Sequence, residues 1–316
     1  MKRIGLVTTL LLLAGACAPT DDTPSSSLDL AYTPGVVDVI ARGLTLDAPD
    51  EIPSGWTTFR FSNESPMIHF ALVERLPDGQ GIGSQQAEVA PVFQDGLDLL
   101  GAGETEAALQ RFGDLPSWFG DIVFLGGPGL TSPGRTSQTT VFLEPGTYLL
   151  ECYVKTGGVF HSFNADPAIN GMVHEFRVTG ERSEAAEPSA TLQIEISTAG
   201  GIEVEGDLVP GEHTVAVRFV DQTVHENFVG HDVHLVRVSD DLDLGELEQW
   251  MDWSQPTGLQ TPAPAQFLGG IHEMPAGTTG FFSVTLEPGN YAWISEVPNS
   301  SEKGMLKLFS VPSGDN

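Results

Sequence analysis

The 316-residue sequence predicts an all-β protein of two tandem antiparallel Greek-key β-sandwiches, each with a short helical insertion. Three observations predict this. Phe267 to Tyr291 aligns without a gap on Phe124 to Tyr148 with 12 identities, so the chain reads as a duplication. Each half holds short runs of alternating apolar and polar residues, rich in β-branched and aromatic types and separated by Gly, Pro, Asn and Asp. Helical periodicity is confined to one place in each half, between its second and third runs.

In chain order, Met1 to Ala16 has a basic start (Lys2, Arg3), an apolar run from Ile4 to Leu13, and Ala14-Gly15-Ala16 just before Cys17. The apolar run is well short of the ~20 residues that a spanning helix needs. Small residues before a cysteine are the pattern of a bacterial export signal cut in front of a lipidated Cys17. Residues 1–17 are therefore expected to be the lipoprotein signal and 18–28 a disordered polar tether. Residues 29–179 are expected to form the first domain, 180–189 a linker (GERSEAAEPSA begins at Gly180) and 190–316 the second domain. The protein is expected in the bacterial cell envelope, exported and lipid-anchored on its periplasmic or cell-surface face.

Strands are predicted in the first domain at WTTFRF (from Trp56), MIHFALVERL (Met67), TTVFLE (Thr139), TYLLECYV (Thr147) and GMVHEFRV (Gly171). The matching set in the second is HTVAVRFV (His213), HDVHLVRV (His231), GFFSVTLE (Gly280), NYAWISEV (Asn290) and GMLKLFSV (Gly304). Helices are predicted at Gln85 to Leu100, Glu104 to Phe112 and around Leu244 to Trp253. The first insertion is 19 residues longer, because the offset between copies falls from 162 at His69/His231 to 143 at Phe124/Phe267.

The chain carries 43 acidic and 14 basic residues, a formal charge of −29, and loss of Lys2 and Arg3 with the signal would make it −31. Nucleic acid and anionic bilayers are therefore disfavoured as partners; no nucleic acid is expected, and membrane contact is expected only through the lipid.

The two cysteines sharpen the reading. Lipidation would consume Cys17 and leave Cys152 without a disulfide partner. Cys152 is then either buried and inert or bound to something. In ungapped register it stands opposite Ser295, so a thiol present in one copy is absent from the other.

The strand PGTYLLECYV, the following loop with His161, and the Gly171-Met172 pair resemble the cupredoxin family, the fold of plastocyanin and other blue copper proteins. IPSGWTTFRFSNESPMIHFALV is similar to that family's earlier strand pair, where a histidine follows an Asn-containing turn. The resemblance implies one copper ion in the first domain, with His69 and His161 as imidazole ligands, Cys152 as thiolate and Met172 as weak axial thioether. Two imidazoles and a thiolate with a distant thioether suit Cu(II) and Cu(I) alike. The spacing Cys152-x8-His161 fits such a domain, while His161-x10-Met172 is longer than the family's usual loop. Gly304-Met305 in the second copy accompanies no cysteine, so the Gly-Met pair can also be structural. His69 likewise reads, on its own, as a strand-start histidine satisfied by backbone.

The second copy holds His213, His225, His231, His234 and His272. His231 and His234 are three apart on a predicted strand and face opposite sides. A metal site there would need His272 to approach His231.

No Gly-x-Ser-x-Gly, His-Glu-x-x-His or phosphate-binding loop is present. GGPGLTSPG from Gly126 lacks the lysine, and GQGIG from Gly79 sits in no βαβ unit. No His-x-His pair exists for a three-copper cluster. The sequence therefore predicts no enzyme, but an envelope-anchored electron carrier or copper binder with a redox protein partner. The alternative is a copper-free scaffold that binds a protein or ligand through the helices between Gln85 and Phe112.

Overall fold

A computed structural model describes residues 35–313. The signal at 1–17 with Cys17, and the tether at 18–28, lie outside the described residues.

The first sandwich is built from β1 (Val36–Arg42), β2 (Thr45–Asp47), β3 (Glu51–Asn63), β4 (Leu72–Arg75), β5 (Val123–Phe124), β6 (Thr136–Leu143), β7 (Gly146–Glu151), β8 (Lys155–Thr156), β9 (Val159–Phe160) and β10 (Val173–Arg182). The second uses β11 (Leu192–Ser197), β12 (Gly201–Glu205), β13 (Gly211–Phe219), β14 (Val233–Val238), β15 (Gln266–Ile271), β16 (Thr279–Leu286), β17 (Gly289–Ile294) and β18 (Leu306–Val311). Alternation sets the inward faces: in β1, Val37, Val39 and Ala41 are buried while their neighbours are half-exposed.

One layer of the first sandwich pairs β1, β3 and β6; the other pairs β10, β7, β4 and β5. β3 serves both, with Glu51–Ser54 beside β10 and Gly55–Ser62 beside β6. The bend falls at Gly55, whose φ of +113° favours glycine. The second sandwich repeats the plan with β12, β11, β13 and β16 in one layer and β15, β14, β17 and β18 in the other. The all-β expectation holds, but the sheets are mixed. β1 runs parallel to β3, and β11 parallel to β13, because each domain's first strand adds to the edge beside its third. β10 reaches Arg182, three residues into the segment read as linker.

The repeated Leu-Glu-Pro-Gly-x-Tyr run has a structural role in both copies. Tyr148 donates to the Glu144 carbonyl at 2.6 Å and Tyr291 to the Glu287 carbonyl at 2.8 Å. Each buried ring thus satisfies its own hydroxyl and pins the corner before it.

The two sandwiches are fused edge to edge. β16 pairs antiparallel with β6 (Phe281↔Thr140, Phe282↔Thr139), and the buried apolar residues of both form one continuous core.

The first insertion comprises a helical turn at Ile82–Ser84, a π-turn at Gln85–Val89, then α1 (Ala90–Gly101) and α2 (Thr105–Phe112). Gly96 lets the helices close: a Cβ there would stand 2.2 Å from the Phe112 ring. In the second domain α3 (Leu244–Met251) is N-capped by Asp243, which accepts from the amides of Gly245 and Glu246.

Candidate metal centre

The strand expected from Met67 begins only at Leu72, so His69 lies in the approach to β4 and holds a single bridge to Thr131. Asn63 fixes that approach. Its buried side-chain amide donates to the Met67 and Thr131 carbonyls, both at 2.8 Å, which aims the His69 ring inward. Cys152 directly follows β7, with its amide on the Met172 carbonyl at 3.1 Å.

His161 is brought back to Cys152 by the β8–β9 hairpin. Gly157 and Gly158, with φ of +61° and +82°, supply the two left-handed residues of a tight turn. The His161 amide then meets the Val154 carbonyl at 2.8 Å. The long excursion to Met172 closes on itself: the Met172 amide donates to the His161 carbonyl at 2.6 Å. Gly171 permits this closure, since a Cβ there would lie 2.1 Å from the Ser162 carbonyl. The second copy repeats the backbone pattern, Ser295 amide to Met305 carbonyl at 3.1 Å and Met305 amide to Ser300 carbonyl at 2.7 Å. The Gly-Met pair therefore has a structural function in both.

The three side chains meet. Cys152 Sγ is 3.5 Å from His69 Nδ1 and 4.0 Å from His161 Nδ1, and the two nitrogens are 3.3 Å apart. An ion ~2.05 Å from two nitrogens and ~2.3 Å from a sulfur, in a trigonal plane, sets edges of roughly 3.6 and 3.8 Å. The observed triangle fits a copper ion.

All three residues are buried, at 0 to 2% exposure, so the ligand atoms need no desolvation when an ion arrives. Burial holds His69 down at about 4 against the opposing Gly43 backbone. Burial and then His69 hold His161 down at about 3. Both rings are thus neutral and carry lone pairs at neutral pH. Burial pushes the Cys152 thiol up to about 12, a preference that a bound cation reverses. His161 Nε2 sits 2.8 Å from Thr156 Oγ1, and donation of an Nε2 proton there leaves the Nδ1 lone pair facing Cys152. Among the described residues His69 Nε2 has no hydrogen-bond partner. Met172 is fully buried, with its backbone tied to both Cys152 and His161.

The second domain secures the hairpin. Lys155 exchanges backbone hydrogen bonds with Leu259 and Thr261 at 2.8 and 2.9 Å, and its ammonium donates to the Trp253 and Gln255 carbonyls.

A second buried group joins Asp232, His234, His272 and Glu296, two of which, Asp232 and Glu296, were not singled out from the sequence. His234, not His231, approaches His272; the rings are 5.0 Å apart. His231 turns instead to the Asp221 carbonyl at 3.2 Å. The Leu130 amide donates to His234 Nδ1 at 3.1 Å, so Nε2 carries the ring proton and gives it to Asp232 at 2.7 Å. Burial disfavours and the two carboxylates favour an imidazolium here, and the amide on Nδ1 decides for the neutral ring. A metal-binding histidine has the opposite polarity, with its outer nitrogen donating. The group is therefore a hydrogen-bond network. Ser295, opposite Cys152, bonds to Asp232, whose Oδ1 also accepts the Glu296 amide.

Two fused β-sandwiches with a His-Cys-His triangle at one end of the first define a cupredoxin-like fold. No protein-family model and no curated protein matches the chain. Among solved structures the chain is similar to reduced auracyanin from the photosynthetic bacterium Roseiflexus castenholzii, at 12% identity over 38% of this chain and 95% of that one, with a TM-score of 0.28. It is also similar to a copper-containing nitrite reductase from Thermus scotoductus, at 12% identity over 88% of this chain and 61% of that one, with a TM-score of 0.21. A multi-copper oxidase from Pediococcus acidilactici matches at 10% identity over 89% of this chain and 59% of that one, with a TM-score of 0.23. At such identities the likeness concerns fold alone. The expectation that the chain is not an enzyme is corrected here: two of these three structures are enzymes by name.

Proposed function

We propose that the first sandwich binds one copper ion through His69, Cys152 and His161, with Met172 as axial thioether, and that the protein carries single electrons to or from a redox protein partner. The observation that carries this reading is the triangle of donor atoms, with edges of 3.3 to 4.0 Å. An ion held there would supply a Cu(II)/Cu(I) couple. The chain's own residues keep the ligand atoms in place through the His161–Met172 and Cys152–Met172 backbone bonds, so little rearrangement accompanies a change of charge. Burial of all three keeps water off the thiolate. His161 lies directly beneath the exposed Thr156, which gives a short path to the surface.

Export and anchoring through a lipid on Cys17 complete the proposal. No helix among the described residues is long and apolar enough to cross a membrane. Cys17→Ala should move the protein from the membrane fraction to the soluble one. For the redox role, copper-loaded protein reduced with ascorbate and mixed with ferricyanide should return one electron per copper. Copper that stays reduced under excess ferricyanide would sink that role.

A further inference from the structure

We propose that the cavity between the helical insertion and the second domain binds a small organic cation, an ammonium group carried on an apolar, aromatic body. The cavity has a volume of about 80 Å³. At 10 to 15 Å³ each, that is room for roughly five to eight waters, the size of a small aromatic amine.

Its walls are rings. Phe93 of α1 is the hub, 5.6 Å from Phe119, 5.6 Å from Phe228 and 5.8 Å from Trp253 between ring centroids. Ring faces attract cations as well as apolar groups. Phe228 adopts a φ of +65°, which is rare for a bulky residue. That conformation is strained for a residue with a Cβ, and its ring lines the cavity.

The floor is acidic and lacks a counter-charge. Glu74 of β4 lines the cavity at 4% exposure, and among the described residues its carboxyl has no hydrogen-bond or salt-bridge partner. Its neighbours differ: Glu151 accepts from the Gln85 side chain at 2.6 Å and Glu273 from the Gly230 amide. A carboxyl on a buried residue with no donor facing it is left for whatever fills the cavity to satisfy. Burial, then Glu151 and Glu273, push Glu74 well above the usual carboxylate range, and an ammonium placed beside it would favour its charged form again. A ligand with a positive head against Glu74 and Glu273 and a flat apolar body against Phe93, Phe228 and Trp253 satisfies both halves of the site.

The inference does not depend on copper, and its test uses the full chain without metal. Calorimetric titration with phenethylamine at neutral pH should give saturable 1:1 binding, and 2-phenylethanol, the neutral analogue, should bind at least tenfold more weakly. Glu74→Gln should weaken the amine at least tenfold and leave the alcohol unchanged. Should that variant not fold, as judged by its melting transition, Glu273→Gln at the partly exposed position gives the same readout. Equal affinity for amine and alcohol, no binding to folded protein, or amine binding undiminished in the folded glutamine variant would each overturn the assignment.

Discussion

The hydroxyl of Tyr153 donates to Glu296 Oε2 across 3.0 Å, joining the residue after Cys152 to the residue after Ser295, its aligned position in the other copy. Glu296 is fully buried and Tyr153 partly so, and the bond fixes the two sandwiches to each other beside the candidate copper site. Tyr153→Phe leaves a buried carboxyl oxygen without its donor and should destabilise the chain by about 1 to 3 kcal/mol in urea unfolding. A loss under about 0.5 kcal/mol, within the usual range for surface changes, would mean that the contact is idle.

Thr156 orients His161 through a 2.8 Å bond to Nε2. Thr156→Val removes it at nearly constant volume and should lower copper affinity about 10- to 100-fold, read by competition with a chelator. Unchanged affinity would show that the hairpin backbone alone sets the ring.

Gly171 is required by the closure of the long loop. In Gly171→Ala the new Cβ meets the Ser162 carbonyl, which is backbone and cannot swing away. A loss of about 1 to 3 kcal/mol is expected in thermal or denaturant unfolding, typical of an overpacked site. Wild-type stability would refute the tight approach.

Two sets of buried groups give the metal-free protein opposite pH responses. His69 and His161 are held below their usual value of 6.5, so the unfolded chain binds protons first, and their contribution is full above about 6.5 and lost as pH falls through about 4 to 3. Burial raises Glu273 to about 8 and Glu74 well above 4.5, so the folded chain keeps those protons longer. Their contribution is full below about 4.5 and drains as pH rises through about 8. Stability should therefore fall between about pH 6.5 and 8, and Glu273→Gln should flatten that slope. A melting temperature that rises across this interval would contradict the assignment.

Much of this was legible in the residues. Alternation located all ten strands read from the sequence, although His69 proved to precede its strand because Asn63 ties that segment to the Thr131 carbonyl. Cys152 and His161 could be paired only through the resemblance to the cupredoxin family, with which their spacing agrees. That the long His161–Met172 excursion folds back was not readable, because the closure rests on one backbone bond and on glycines whose neighbours are distant in sequence. Asp232 and Glu296 were invisible among 43 acidic residues. Their burial is created by fusion of two domains, and no local pattern marks it. β1 and β11 were passed over although both alternate, with Val37, Val39 and Ala41 inward in β1 and Leu192, Ile194 and Ile196 inward in β11, whereas the three-residue β2 is too short to show a period.

The most direct measurement is the visible spectrum of the full chain titrated with Cu(II), beside Cys152→Ser. A trigonal His69-Cys152-His161 site predicts an intense thiolate-to-copper band that saturates at one copper per chain. The band should be absent from a Cys152→Ser variant that remains folded, as the buried Ser295 at the aligned position indicates it can. No band in the folded wild-type protein, or a band that survives in Cys152→Ser, would contradict copper binding through the thiolate.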